Sequence, residues 1–152
     1  MSGDSKEDVL SPGSIRYLTA PDVIAINQAI INIISPDEPV GLLSEHLLES
    51  ALASPSQYRY WQQCNDIIML TAVLTHSLAK AHAFLNANKR TAAMCAGIFL
   101  MMNGQELTAP DHELVDFIEG LVVGHYTREE FADWLAFWIR PFDAILLNED
   151  CS

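Results

Sequence analysis

The chain has 152 residues, and 50% of them are hydrophobic, which is the size and composition of one domain with a single core. Its formal net charge is −12, with only eight lysines and arginines, and this argues against a nucleic-acid partner because phosphate backbones are bound by basic stripes. Three cysteines without a CxxC spacing indicate free thiols in a reducing compartment rather than a disulfide framework.

The sequence also argues against a membrane partner. No run reaches the roughly 18 apolar residues that cross a bilayer, and the N-terminus lacks the basic and apolar regions of a secretory signal. We therefore expect a cytoplasmic protein. Residues 1–16 are mostly polar and predict a disordered leader, the domain is expected over 17–141, and 142–152 form a tail.

The first part of the domain predicts two helices. Thr19 and Asp22 have the spacing of a capping box, which opens a helix that runs to about Ser35. Ser44 is suited to cap a second helix, which is expected to end near Ala53.

The next segment, residues 54–61, is interpreted as a strand pair or extended flap. Two tyrosines, an arginine and a tryptophan occur there without helical spacing, which is typical of extended structure. Its centre consists of Gln57, Tyr58, Arg59 and Tyr60.

Two apolar segments then predict the central helices of the fold, at about 66–83 and 91–103. Helices that are apolar nearly all round belong inside a domain. Gly97, in the second of them, would let a neighbouring helix approach closely.

The last two predicted helices begin at threonines. Thr108 and Thr127 each precede a carboxylate three residues on, and they predict helices that end near Val123 and before Pro141. The sequence therefore predicts an all-α bundle of about six helices with one short β flap.

The distribution of charge around residues 80–90 indicates an anion site. No carboxylate occurs between Asp66 and Glu106, whereas Lys89 and Arg90 fall where a loop turns into a helix. A helix N-terminus offers free N–H groups and the positive end of the dipole, so added cations suit a bound anion. The alternative is that both side chains pair with carboxylates of other helices.

Three residues near these cations also belong to this segment. For two of them the sequence allows a functional role and a structural role, and the third is interpreted as structural. Asn88 could cap the helix or bond a phosphate oxygen. His82 could act as a general base on a hydroxyl, or it could be a partner of a helix C-terminus. Phe84 is interpreted as a core anchor of the loop.

Other common sites are absent from the sequence. The remaining histidines form no pair with metal-ligand spacing, and neither GxxxxGK[ST] nor GxGxxG occurs. A nucleotide would therefore use the loop before Lys89.

The nine residues at 82–90, HAFLNANKR, resemble the active-site motif of the Fic/Doc family, His-x-Phe-x-Asp-Ala-Asn-Lys-Arg. LLESALA and the run from NKRTA to FLMMNG also look like flanking segments of Doc-like proteins, so the resemblance extends over about 17–141. It implies a helical Fic fold in which this loop joins two central helices.

The resemblance also implies roles for the loop residues. His82 would be the base on a hydroxyl of a target protein, and Asn88, Lys89 and Arg90 would hold the phosphates of ATP or another nucleoside triphosphate. The flap would dock the target as an added strand. Family enzymes commonly transfer AMP, whereas Doc-like members with this lysine resemble protein kinases.

One residue departs from the motif. The family carries an acid that binds magnesium at the position of Asn86, and an amide oxygen is a weaker ligand for Mg²⁺ because it has no charge. The leading hypothesis is a toxin-like transferase. The alternatives are a Fic/Doc-fold binding module with weakened or lost catalysis, and a plain helical interaction domain.

The resemblance implies partners as well. The target would be a protein hydroxyl, with a translation factor as one candidate. No clean match to the self-inhibitory pattern [S/T]xxxE[G/N] was found, so control by an external antitoxin peptide or protein is expected.

Overall fold

The computed structural model describes residues 14–142, so the expectations for 1–13 and for the tail at 143–152 lie outside the described residues. Within that range the chain forms six helices, which confirms the predicted helical bundle. They are α1 (Ala20–Ile34), α2 (Glu45–Gln62), α3 (Ile67–Ala81), α4 (Asn88–Met102), α5 (Asp111–Val122) and α6 (Arg128–Phe137). No helix among residues 14–142 is long and apolar enough to span a membrane.

The two predicted central helices lie at the centre of the bundle. Nine residues of α3 are buried, and this helix packs against α2, α4 and α6. Helix α4 has six buried residues and packs against α1 and α5 as well as α3. The loop between α3 and α4 is therefore held by the two best-packed helices of the fold.

Most of the predicted caps form as the sequence indicates. Thr19 and Asp22 make both hydrogen bonds of a capping box, and these bonds lower the pKa of the Asp22 carboxyl. Ser44 accepts from the Leu47 N–H, and Thr127 forms a second capping box. The cap at Thr108 is wrong: α5 begins only at Asp111, without a side-chain cap.

Thr108 is used for a different contact. Its N–H and its hydroxyl both donate to the Trp138 carbonyl, at 2.7 and 2.8 Å. This contact continues a two-stranded antiparallel ribbon of β1 (Gln105–Leu107) and β2 (Ile139–Pro141), which the sequence analysis missed. Arg140 and Glu106 form a bidentate ion pair across the ribbon, and the hydrogen bonds from Arg140 lower the pKa of Glu106.

The predicted flap at 54–61 is wrong, because these residues are helical. Helix α2 continues through Pro55 to Gln62. Proline has no N–H for the Ala51 carbonyl, and the Ser54 hydroxyl donates to that carbonyl instead, at 2.6 Å. The proposed docking residues therefore lie on a helix; they are Gln57, Tyr58, Arg59 and Tyr60.

The role expected of Gly97 is also wrong. No atom lies within 4 Å of the position that its Cβ would occupy, so no neighbouring helix approaches α4 there. Gly97 lines an open groove instead.

Candidate functional site

The loop between α3 and α4 changes direction at two residues with left-handed backbone. His82 ends α3 with a φ of 48°, and Ala87 precedes α4 with a φ of 63°. This conformation is uncommon for residues other than glycine, so the surrounding structure must hold it. As a result, one short loop connects the exposed His82 to the first turn of α4.

Asn88 closes this loop onto itself. Its Oδ1 accepts from the Phe84 N–H at 3.0 Å, and its Nδ2 donates to the Phe84 carbonyl at 2.9 Å. Phe84 is itself buried in the core. Asn88 therefore does not cap α4, whose N-cap Ala87 has no side-chain hydrogen bond.

A second amide, that of Asn27, supports the loop through hydrogen bonds from α1. The sequence analysis missed this residue. Asn27 of α1 is buried, and its Nδ2 donates to the Asn86 carbonyl at 2.9 Å and to Thr91 Oγ1 at 3.0 Å. The available signal was a polar residue on the apolar face of α1, which also carries Val23, Ile30 and Ile31. A buried amide must be hydrogen-bonded, so such a residue indicates a polar contact inside the fold.

The extended segment beside the loop is 39–43, not 54–61. The Leu43 N–H donates to the Ala83 carbonyl at 2.7 Å, and the Leu85 N–H donates to the Gly41 carbonyl at 2.9 Å. These bonds place Leu42 opposite Phe84 in an antiparallel bridge. A pairing this short leaves little signal in the sequence, and Pro36 and Pro39 nearby do not indicate a strand.

Asn86 joins the loop to the same segment. Its side-chain Nδ2 donates to the Pro39 carbonyl at 2.9 Å. The amide at the position of the motif acid is thus a hydrogen-bond donor in this structure, a role that a carboxylate cannot perform.

The N-terminus of α4 carries two basic side chains, Lys89 and Arg90, and no acidic one. It has no side-chain cap and no acid in its first turn, whereas α1, α2 and α6 have both. Arg90 is exposed and has no hydrogen-bond or ion-pair partner among residues 14–142. Lys89 does have one, since its Nζ lies 3.1 Å from Glu119 Oε1 on α5. Pairing with another helix therefore holds for Lys89 and not for Arg90.

A sequence model of the Fic/DOC family matches residues 17–100, which include the whole loop and nearly all of α4. The chain belongs to the Fic/Doc family.

Two relatives support this membership. The protein named "Protein kinase doc" of Escherichia phage P1 is 28% identical over 122 residues, which cover 80% of this chain and 94% of the relative. The protein named "Toxin Doc" of Mycolicibacterium smegmatis (strain ATCC 700084 / mc(2)155) is 36% identical over 99 residues, which cover 64% of this chain and 75% of the relative.

A groove of about 290 Å³ runs along α4 from the first turn of this helix. Its walls come from α1, α4, α5 and β1, and most of the side chains that line it are apolar, among them Ile30, Met94 and Met101. Arg90 also lines it, so the groove reaches the first turn of α4.

The loop between α3 and α4, residues 82–87 (the Fic loop), does not fit a magnesium site made by the protein. Among residues 14–142, no group of three or more His, Cys, Asp or Glu side chains could hold a metal ion. Asn86 offers one uncharged oxygen, and its amide nitrogen is engaged by Pro39. Magnesium sites in proteins usually rely on one or two carboxylates, which are missing from this loop.

Proposed function

We propose that this protein is a transferase that moves a phosphoryl or nucleotidyl (AMP) group from ATP or another nucleoside triphosphate to a hydroxyl of a target protein, as a Doc-like toxin. The observation that carries the proposal is the uncapped, cationic N-terminus of α4 beside an exposed histidine. Such an end attracts phosphate through its free N–H groups, its dipole and its added cations.

The phosphates are assigned to the first turn of α4. Arg90 can hold two oxygens with its planar guanidinium, and Lys89 adds a second cation within the same turn. Asn88 contributes indirectly, because both of its polar atoms already bond the Phe84 backbone and fix the shape of the loop. Catalysis of this kind rests on positioning and charge neutralisation.

His82 is assigned the general base. It accepts the proton of the target hydroxyl while that oxygen forms a bond to phosphorus. The bond from the same phosphorus to its leaving oxygen breaks, and the leaving group is the nucleoside diphosphate in phosphoryl transfer or pyrophosphate in AMP transfer. The relative that is named a protein kinase supports transfer of the terminal phosphate.

The docking surface for the target is assigned to residues 39–43. One edge of this segment pairs with the Fic loop, and the N–H of Leu42 has no hydrogen-bond partner among residues 14–142. An extended peptide could add to this free edge as a further strand. Leu43 is 63% exposed and would contact the side chains of such a peptide.

The remaining features of this function are the metal ion of the nucleotide, a partner that holds the enzyme in check, and the compartment where the protein acts. Because the loop supplies no carboxylate, any magnesium that the reaction uses would be held by the phosphates of the nucleotide and not by this loop. The relative named Toxin Doc supports an antitoxin as the partner that holds this chain in check. The protein is assigned to the cytoplasm, the reducing compartment that its cysteine pattern indicates.

The test is transfer of label to protein in a bacterial lysate. Retention of label from γ-labelled ATP reports phosphoryl transfer, and retention from α-labelled ATP reports AMP transfer. His82→Asn should lower the rate by a factor on the order of 10² to 10⁴, because a general base is lost. Asparagine tolerates left-handed backbone, so the loop should keep its shape in this variant.

The matched control is His112→Ala, which removes an exposed histidine from α5. Its rate should equal that of the unchanged protein. An unaltered rate in His82→Asn would remove His82 from the mechanism. If the unchanged protein binds ATP but transfers neither label, the Asn86 loop has lost catalysis, and the chain is a Fic/Doc-fold binding module.

A further inference from the structure

Lys89 is assigned to phosphate in the proposed function, but it already has an anionic partner. Its Nζ lies 3.1 Å from Glu119 Oε1, and this contact is one of two ion pairs among residues 14–142. The other joins Arg140 to Glu106 across the β-ribbon. Glu119 is therefore the carboxylate that the structure brings to the cationic turn of α4.

Glu119 is held in place by the packing of α5. Its neighbours Ile118 and Gly120 are buried, and a Cβ on Gly120 would lie 2.5 Å from the ring of Tyr126. That ring in turn stacks on Phe117, with centroids 4.2 Å apart. The backbone at Glu119 is thus fixed relative to the core.

The two charged groups remain free to separate. The side chains of Lys89 and Glu119 are 35% and 57% exposed, so either can rotate into solvent without disturbing the core. Exposed pairs of this kind contribute little to stability, so an arriving phosphate can displace the carboxylate from Lys89.

We propose that Glu119 is an internal competitor for the phosphate at Lys89 and thereby sets the affinity of this site for nucleotide. The inference rests on the proposed function, because it takes the first turn of α4 as the phosphate site. In the free protein the carboxylate neutralises the Lys89 ammonium. A nucleotide phosphate must draw that ammonium away from Glu119, or share it with a negative group nearby, and both processes weaken binding.

The contrast with Arg90 limits the effect to one cation. Arg90 lies one residue further along α4 and has no partner among the described residues, so its charge is available before nucleotide arrives. Glu119 therefore weakens binding without abolishing it. Its removal should strengthen binding only while Lys89 is present.

The experiment is calorimetric titration of the full chain with ATP. Glu119→Gln keeps the size of the side chain and an acceptor oxygen but removes the charge, and it should lower the dissociation constant by about two- to fivefold, the equivalent of a surface ion pair. Glu113→Gln removes the same charge from an exposed position on α5, six residues before Glu119, and should change the constant much less. The difference between the two variants isolates the local effect from the overall charge of the protein.

A second pair of variants ties the effect to Lys89. In a Lys89→Met background, Glu119→Gln should no longer strengthen binding. An equal or weaker affinity of Glu119→Gln compared with the unchanged protein would overturn the proposal, and so would a gain that persists without Lys89. Failure of the proposed function would be a different result. In that case no variant would transfer label, whatever its affinity for ATP.

Discussion

Asn86 makes two hydrogen bonds that connect its loop to the rest of the fold. In this structure the amide donates to the Pro39 carbonyl, and the backbone carbonyl of the same residue accepts from Asn27. The residue therefore connects the Fic loop both to the 39–43 segment and to α1. The sequence identified Asn86 as a departure from the motif, but it could not show that the amide had gained a contact.

Two variants at this position separate metal ligation from that contact. Asn86→Asp and Asn86→Ala should both loosen the 39–43 segment, because neither side chain can donate to Pro39. Hydrogen exchange at the Leu43 and Leu85 amides, which bond across to the loop and the segment, should accelerate in both.

Only the aspartate should change the response to metal. With a carboxylate restored, the Mg²⁺ concentration for half-maximal transfer should fall in Asn86→Asp and not in Asn86→Ala. Unchanged amide exchange in both variants would show that the Pro39 contact contributes nothing to the segment. An unchanged Mg²⁺ requirement in the aspartate variant would show that this position does not face the metal.

The histidine and cations of the loop could be chosen from the sequence because their chemistry is visible in their residue types. The roles of Asn88 and Asn27 could not, because an amide can cap, bind a ligand or support a loop. Only the positions of its partners decide among these. Asn88 faces the Phe84 backbone and Asn27 faces Asn86 and Thr91, so both act within the protein.

At the level of elements, the main error in the predicted fold is the flap at 54–61, which was inferred from aromatic residues without helical spacing and is helical although it contains Pro55. A proline inside a helix leaves one carbonyl without its N–H partner and so disfavours the helix. In α2 the Ser54 hydroxyl bonds that carbonyl, at Ala51, and the helix continues. The sequence carried both residues, but the compensation depends on a rotamer that the pattern does not reveal.

Ser54→Ala should therefore destabilise the protein by about 1 kcal/mol, since a carbonyl of the buried residue Ala51 would lose its only compensating donor. Urea unfolding followed by circular dichroism gives the free energy of unfolding. The control is Ser56→Ala. The Ser56 hydroxyl donates to the Ala53 carbonyl on the exposed side of the helix, so the loss of this hydrogen bond should have little effect. Equal values for the two variants would mean that Pro55 needs no compensation.

The starts of the helices capped by Thr19, Ser44 and Thr127 were predicted well, whereas the short β-structure was missed. The capping boxes at Thr19 and Thr127 are local patterns, so the sequence contains all of their information. The strands β1 and β2 have three residues each and pair residues about 34 positions apart, such as Glu106 and Arg140. Nothing local in three residues distinguishes such a strand from a loop.

At the scale of the whole molecule, α4 connects the proposed phosphate site to the core and the groove. Its first turn carries Lys89 and Arg90, its middle contains the fully buried Cys95, and its later residues line the groove. Burial, with a smaller effect of the Asp22 charge, raises the pKa of the Cys95 thiol to about 12. A thiol that is both inaccessible and protonated should react only when the structure opens.

Cys95 can therefore report whether nucleotide binding stabilises the fold. In a Cys151→Ser background, alkylation of Cys95 at pH 8 should be much slower than that of the partly buried Cys64, because it requires unfolding of α4. ATP that binds the first turn of α4 stabilises the native state by mass action, so ATP at about ten times its dissociation constant should slow Cys95 labelling roughly tenfold.

Arg90→Ala should lose this protection, and Cys64, near the end of α2, should label at a rate that ATP affects little. Labelling of Cys95 as fast as Cys64 would show that α4 opens locally, and equal ATP protection in Arg90→Ala would place the nucleotide elsewhere on the protein.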